Sequence, residues 1–241
     1  MAITKITSGV IDSGTITSAN IEDGTIVNDD INASAAIVNT KLSGVLTNAG
    51  IVGVSTFTAS GTWTKATREA ALGVTIKRVI VEVQGAGGSG GNSNVSNGGC
   101  GAGGGYAKKL IDVSSISSST ITVGTGGVGT SGVSTGNSGG SSSWADGTNT
   151  VTGSGGGGGV SYPSASTAGT GSGGDINVDG GRGFWRMRGN SFLGTQAASD
   201  QGGAGQQGFA GGGYGWGGAT AYSATSLNGG DGIVIVWEIA G

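Results

Sequence analysis

The sequence predicts an all-β protein: a short trimeric stalk of β-spiral or β-helix-like form over residues 1–45, then a glycine-rich β domain over 46–241 with polyglycine II-type segments. Three observations lead there. Glycine supplies 57 of 241 residues, about one in four where ordinary globular chains hold roughly 7%. Isoleucine recurs at every fifth position near the start of the chain. Short runs of β-branched residues punctuate the glycine tracts, and the last of them is GIVIVWE at 232–238.

The stalk rests on Ile6, Ile11, Ile16, Ile21, Ile26 and Ile31, which stand in strict register, with Ala36 holding the step once more. Small residues (Gly9, Gly14, Ala19, Gly24) sit two positions before most of them, and turn formers such as Asp12, Ser13, Asn20 and Asp23 fill the intervals. A period of five suits neither a helix of 3.6 residues per turn nor a strand of period two. It suits a spiral in which each short segment sends one Ile inward and then turns, so that stacked repeats bury an apolar column. One chain makes only a thin column; three chains wound together bury it better, so a homotrimer cored by these isoleucines is the economical solution. Winding within one chain and winding among three both satisfy the period.

Residues 41–60 break the pentad and read as a connector that runs into a strand. Beyond it, strands are expected at 55–57, 77–84, 107–113, 119–123 and 148–152, each β-branched or alternating in polarity, with a helical turn at 67–72 stopped by Gly73. Between strands the glycine is dense: eleven of the twenty-one positions from 85 to 105. From about 153 to 229, glycine-rich segments are dotted with aromatics, among them Tyr162, Phe184, Trp185, Phe192, Tyr214 and Trp216. A flexible linker lacks such aromatics and is not followed by a core-grade strand, so these tracts are expected to fold. Ordering glycine carries the largest backbone entropy cost of any residue, and close backbone packing with dense N–H···O bonding offsets it. A bundle of glycine helices in the polyproline II conformation meets those terms.

Composition closes several functional classes. A single proline, Pro163, and the lack of a Gly-X-Y period exclude collagen, and a charged content of 10% excludes a polyelectrolyte tail. Eleven basic against fourteen acidic residues give a net charge of −3, which is unsuited to holding a nucleic-acid backbone. Without histidine, Ser-His-Asp and Cys-His catalysis and most transition-metal sites are closed. Neither a secretory signal nor a membrane-crossing run is visible, which points to a soluble protein made in a cytoplasm without membrane insertion. Lone Cys100 reads as a structural thiol.

Two parts of the chain look like known phage proteins. SGTITSANIEDGTIVNDDINASAAIVNTKL (13–42) resembles the Ile-pentad stalks of bacteriophage tail fibres, in particular those of cyanophages. FTASGTWT (57–64), VIVEVQGAGGSGG (79–91), GAGGGYAKK (101–109), ITVGTGG (121–127), GGSSSW (139–144), VTGSGGGGG (151–159) and GGDGIVIVWE (229–238) resemble, in order, the glycine-rich domain at the C-terminal end of such fibres. The chain departs from that pattern after GTWT, where KATREAALGVTIK stands in place of a proline and a short turn. The resemblance implies a virion component that presents a glycine-rich, receptor-binding tip on a trimeric stalk. Its partners would then be other virion proteins, through the N-terminal region, and a host-surface glycan or protein. A head fibre or capsid decoration protein built from the same modules is the alternative.

The candidate receptor-binding residues are Tyr162, Arg182, Phe184, Trp185, Arg186, Arg188, Tyr214 and Trp216. Aromatic faces take sugar rings or apolar side chains, and Arg offers a forked donor to carboxylate, phosphate or hydroxyl groups. The competing reading makes these aromatics a substitute core between glycine layers. Trp63, Trp144 and Trp237, in strand-like surroundings, are expected in the core. Asp175-Ile-Asn177-Val-Asp179-Gly180 opens like a calcium loop, but position twelve is Arg186, so a short strand at Ile176 and Val178 is expected instead and no metal or cofactor is expected. Two suitably spaced acids could still hydrolyse a glycan, yet only Asp175, Asp179 and Asp200 lie near the aromatic zone, and a non-enzymatic role is expected.

Overall fold

The computed structural model describes residues 17–22, 25–26, 50–93, 98–160, 164–185, 187–194, 213–219, 221–222 and 225–241. The chain divides into two units, Met1–Leu46 and Thr47–Gly241. In the first, a 3-10 turn at Ser18–Asn20 occupies one interval of the pentad. Asn20 closes it by accepting hydrogen bonds from the Thr17 N–H (2.9 Å) and hydroxyl (2.7 Å). Ile21 and Ile26 are exposed on the single chain; Ile6, Ile11, Ile16 and Ile31 lie outside the described residues.

The second unit begins as a sandwich of two antiparallel sheets. Its first sheet runs β1 (Gly50–Phe57), β12 (Ile233–Ala240), β3 (Ile76–Gln84), β5 (Tyr106–Asp112) and β10 (Ile176–Val178) in spatial order. The second runs β2 (Gly61–Thr64), β6 (Ser118–Thr122), β7 (Ser142–Ala145), β8 (Thr150–Gly153) and β9 (Gly171–Ser172). Period-two alternation turns Val79, Val81, Val83, Ile111, Val234 and Val236 inward onto Trp63, Ile121, Trp144 and Val151 of the facing sheet. Trp63 and Trp144 meet at 5.3 Å between ring centroids, in the core as expected. Trp237 is half-buried on the outer face instead, because its neighbours in sequence, Val236 and Glu238, take the inward positions.

The stretch that replaces the short turn after GTWT folds as α1 (Lys65–Leu72), ended by Gly73 in the left-handed conformation (φ 68°) with its N–H on Glu69 O. Leu72 packs against the core. Arg68 reaches inward to Glu238, a fully buried carboxylate that accepts bonds from Arg68 Nε (2.8 Å) and Nη2 (3.0 Å), Ser55 Oγ (2.6 Å) and Trp63 Nε1 (3.2 Å). Burial alone would push its pKa up; these donors outweigh it and hold the group below the usual carboxylate range.

Beyond the sandwich its strands run on as glycine segments, and the hydrogen bonding changes from two-sided to three-sided. After β3, residues 85, 88 and 91 donate to 105, 102 and 99; residues 86, 89 and 92 to 140, 137 and 134; residues 87 and 90 to 230 and 227. The carbonyls of 86 and 89, of 87 and of 88 accept from three further segments, at 156 and 159, at 127 and at 218. One segment is thus bonded to six neighbours with a repeat of three residues, the signature of a polyglycine II-type bundle. Segment 99–105 shows the same repeat, donating in turn to 181–184, 215–218 and 154–157.

Side-chain volume decides where sandwich becomes bundle. Two sheets with side chains between them stand about 10 Å apart, whereas hydrogen-bonded neighbours stand about 4.8 Å apart. Where the tracts begin, no side chains hold the layers apart, and segments from opposite sheets bond directly, as in Ala86 N–H to Gly140 O (3.0 Å) and Gly105 N–H to Ser154 O (2.9 Å). Close approach explains most of these glycines: a methyl group on Gly88, Gly101, Gly104 or Gly156 would collide with a backbone carbonyl of a neighbouring segment.

Gln84 sits at the transition with no exposed surface. Its Nε2 donates to the carbonyls of Gly104 (2.9 Å) and Gly105 (3.1 Å), and its Oε1 accepts from the N–H groups of Phe192 and Leu193 (3.1 Å each). The amide thereby ties segment 99–105 to the backbone at Phe192 and Leu193.

Candidate recognition surface

The bundle has two ends. At the sandwich end lie Gln84, Tyr106 and Asp231; at the other lie Asn92, Gly99, Ser134 and Trp185, joined by the bridges Asn92–Ser134 and Gly99–Trp185 and by the parallel pairing of β4 (Asn92–Ser93) with β11 (Ala221–Tyr222). Gly50, the first residue of β1, pairs with Ala240, at the end of the sandwich away from the glycine segments. Entry to the domain and the free end of the bundle are therefore at opposite poles.

At the free end Trp185 is held on a tight turn. Phe184 and Met187 exchange backbone hydrogen bonds (Phe184 N–H to Met187 O 2.7 Å, the reverse 3.0 Å), and Cys100 N–H donates to Phe184 O (3.2 Å). Buried Ser166 fastens the approach: its Oγ accepts from Gly183 N–H (3.0 Å) and lies 3.1 Å from Cys100 O, while its N–H donates to Gly183 O (2.9 Å). Trp185 is 36% exposed and Met187 61%, beside these bonded neighbours. Arg182 is exposed and Phe184 half-buried beside them. Exposed Val128 and Val133 flank the neighbouring connection between segments 124–129 and 134–140. What this end offers chemically is aromatic and apolar contact area with an Arg at its margin.

The structure divides the predicted set. Phe184 and Trp185 lie at the free end and Arg182 on the strand-like approach to it, whereas Tyr214 is exposed at the sandwich end, where its carbonyl accepts from Ser191 Oγ. Arg188 and Trp216 are buried, the guanidinium 5.3 Å over the indole, and belong to the packing of the bundle rather than to an exposed cluster. Small neighbours allow this: Gly189 and Gly217, each beside one of them in sequence, are hydrogen-bonded together (3.0 Å) and draw both side chains inward. Tyr162 and Arg186 lie outside the described residues. Phe192, noted only as one of the aromatics, stacks on Tyr106 at 4.1 Å, and the Tyr106 hydroxyl donates to Glu82 (2.9 Å), with burial first and this bond second raising its pKa. Ile176–Val178 forms a strand, as expected; Asp175 before it accepts from Leu110 N–H of β5 (2.9 Å), and Asn177 within it accepts from Gly174 N–H (3.0 Å).

A β-sandwich whose strands continue into a three-fold hydrogen-bonded glycine bundle, with an exposed tryptophan on a turn at the far end, defines a class of glycine-rich β domain. The chain belongs to the glycine-rich domain family, which it matches over residues 58–237. Comparison with curated proteins returns no match.

Proposed function

We propose that the protein is a non-enzymatic bacteriophage fibre component, carried on the virion by its N-terminal pentad region as a homotrimer, and that the free end of the glycine bundle adsorbs to a host-surface glycan or protein. The observation that carries this reading is polarity: Trp185 is held exposed at the pole opposite Gly50, where the chain enters the domain. A binding residue is most useful when its base does not rearrange on contact, and Gly183, Phe184 and Met187 around Trp185 are held by backbone hydrogen bonds. Aromatic anchors of this kind dominate recognition interfaces. The likeness of residues 13–42 to tail-fibre stalks supports the virion setting.

The test is adsorption of virions, or of the purified chain, to host cells after Trp185→Ala. Truncating one exposed aromatic anchor is expected to weaken binding about tenfold or more, with the melting temperature within about 2 °C of the parent. Unchanged adsorption of the folded variant would overturn the assignment of the tip. Immunogold label on capsid faces or vertices, instead of on tail-attached fibres, would overturn the tail placement.

A further inference from the structure

The two outer faces of the sandwich differ in a way that solvent alone does not require. An antiparallel sheet facing water on one side reads apolar-in and polar-out. The second sheet obeys: the row Thr62, Thr120, Ala145 and Thr150, and the row Thr122, Ser143, Thr152 and Ser172, face outward in register. The first sheet does not. One outward row reads Val54, Trp237, Ile80 and Leu110, and the next carries Ile235 and Ile176. Ile51 (60% exposed), Val54 (43%), Leu110 (49%) and Ile176 (52%) stand open on this one face.

We infer that this outer face of the first sheet is a self-association surface, covered by further copies of the same chain. Its charges are already matched within the face. Glu82 lies 3.3 Å from Lys108 and accepts from Tyr106 Oη (2.9 Å) and Trp237 Nε1 (3.0 Å), and Arg78 stands directly opposite Asp112. A partner needs no complementary ion to cover them. Strands about 4.8 Å apart and about seven residues long give roughly 500 Å² of flat sheet, which side-chain relief enlarges toward the 600–1000 Å² per partner of a specific interface. Apolar rows set around internally matched charges, on a face of this extent, have the character of an association site. A second copy is the occupant favoured by chain order. The edge strand β1, which supplies Ile51 and Val54, is the first strand after the pentad repeat. Copies joined through the repeat hold their sheets at high effective concentration, so three faces turned to a common axis close without strong pairwise affinity.

The inference rests on the homotrimer proposed above, and the experiment separates the two. On the full chain, light scattering after size exclusion gives the stoichiometry, while hydroxyl-radical footprinting reads Val54, Leu110 and Ile176 against Val128 and Val133 at the bundle's free end. Expected is a trimer in which the sheet residues label at least fivefold more slowly than the two reference valines. The double variant Leu110→Glu/Ile176→Glu is expected to weaken association at least about 100-fold, whereas Thr120→Glu/Thr152→Glu on the hydroxyl face leaves it unchanged. A trimer whose Leu110 and Ile176 label as fast as Val128 and Val133 overturns this surface and leaves the stalk reading standing. A monomer overturns both, as it does if the sheet face is protected, because the chain's own residues then cover it. Should the charged variant not fold, footprinting of the unaltered chain decides alone.

Discussion

The glycine bundle makes a sharp prediction about methyl groups, and Gly139 is the place to test it. A Cβ there would lie 2.5 Å from Gly87 O, 2.6 Å from Ala86 O and 2.8 Å from Ala86 C, against ordinary contact beginning at 3.4 Å. All three obstacles are backbone atoms, so no side chain can swing aside. Relief requires segment 134–140 to retreat by about 0.9 Å from segment 85–92, and their bonds Ala86 to Gly140 (3.0 Å), Ser89 to Asn137 (2.8 Å) and Asn92 to Ser134 (2.9 Å) stretch with it. Bonds lengthened to nearly 3.8 Å are lost. Three of them at about 0.5–1.5 kcal/mol each, with one or two buried groups left unsatisfied, put Gly139→Ala at roughly 3–6 kcal/mol. Against a total of about 5–15 kcal/mol for a domain this is severe, and at about 2–4 °C per kcal/mol it lowers the melting temperature by roughly 10–20 °C. Gly61→Ala is the control: its nearest neighbours are ring atoms of Phe57 at 3.9 Å, and loss of unfolded-state freedom should leave the domain unchanged or more stable by about 0.5 kcal/mol. Differential scanning calorimetry of both variants reads the contrast. If Gly139→Ala melts within about 3 °C of the parent, close backbone packing is not what these glycines are for.

Other outcomes follow from the same structure. Glu238→Gln should cost about 2–4 kcal/mol at neutral pH in urea titrations. Because the folded pKa of Glu238 is lowered, its contribution is present above the unfolded value near 4.3 and is lost as pH falls through the folded value, so the gap between parent and variant should narrow in acid. Gln84→Leu, which strips the amide from the buried carbonyl of Gly104 and from the part-buried N–H groups of Phe192 and Leu193, should cost about 2–3 kcal/mol by the same assay. Trp216→Ala should destabilise the domain by about 3–5 kcal/mol, in contrast to exposed Trp185→Ala, and a variant as stable as the parent would return Trp216 to the recognition set. Unfolding the bundle exposes mainly peptide groups, which lower the heat capacity change, so calorimetry should give less than about 10 cal/mol/K per residue where 12–15 is usual.

How much of this could be read from the sequence depended on whether a residue's role is set locally. The strands at 77–84 and 107–113 and the closing strand were legible from β-branched runs, since period two follows from backbone geometry alone. The helix before Gly73 was legible from its stop signal, and it begins two residues earlier than expected, at Lys65. Strands β2 and β7, four residues each and rich in Ser, Thr and Gly, showed only as strand-like surroundings of Trp63 and Trp144, and two-residue β9 (Gly171–Ser172) gave neither length nor polarity to separate it from a loop. Among the candidate site residues, Trp185 and Trp216 carried the same signal, an aromatic in a glycine tract. Their opposite fates are set by which segment each neighbour bonds across the bundle, a long-range fact. Gln84 gave no signal of its own beyond standing last in a strand.

The position of Gln84 also shows why a strand and a glycine tract can be one continuous element. Up to Val83, side chains on the inner face keep the two sheets apart and supply apolar burial; from Gly85 onward, their absence lets the same backbones bond across the gap that side chains had filled. Stability thus passes from hydrophobic contact to hydrogen bonding along the path of a strand such as β3, with no turn between. A bundle held this way places few demands on the residues at its end, because its order comes from backbone atoms that every sequence shares. The connections that cap it, including the turn of Trp185, can then vary in side chain while their base stays fixed. That is the physical condition for a surface that can change in side chains without refolding the domain beneath it, and under the proposed function it ties the glycine content to recognition more closely than any single aromatic does.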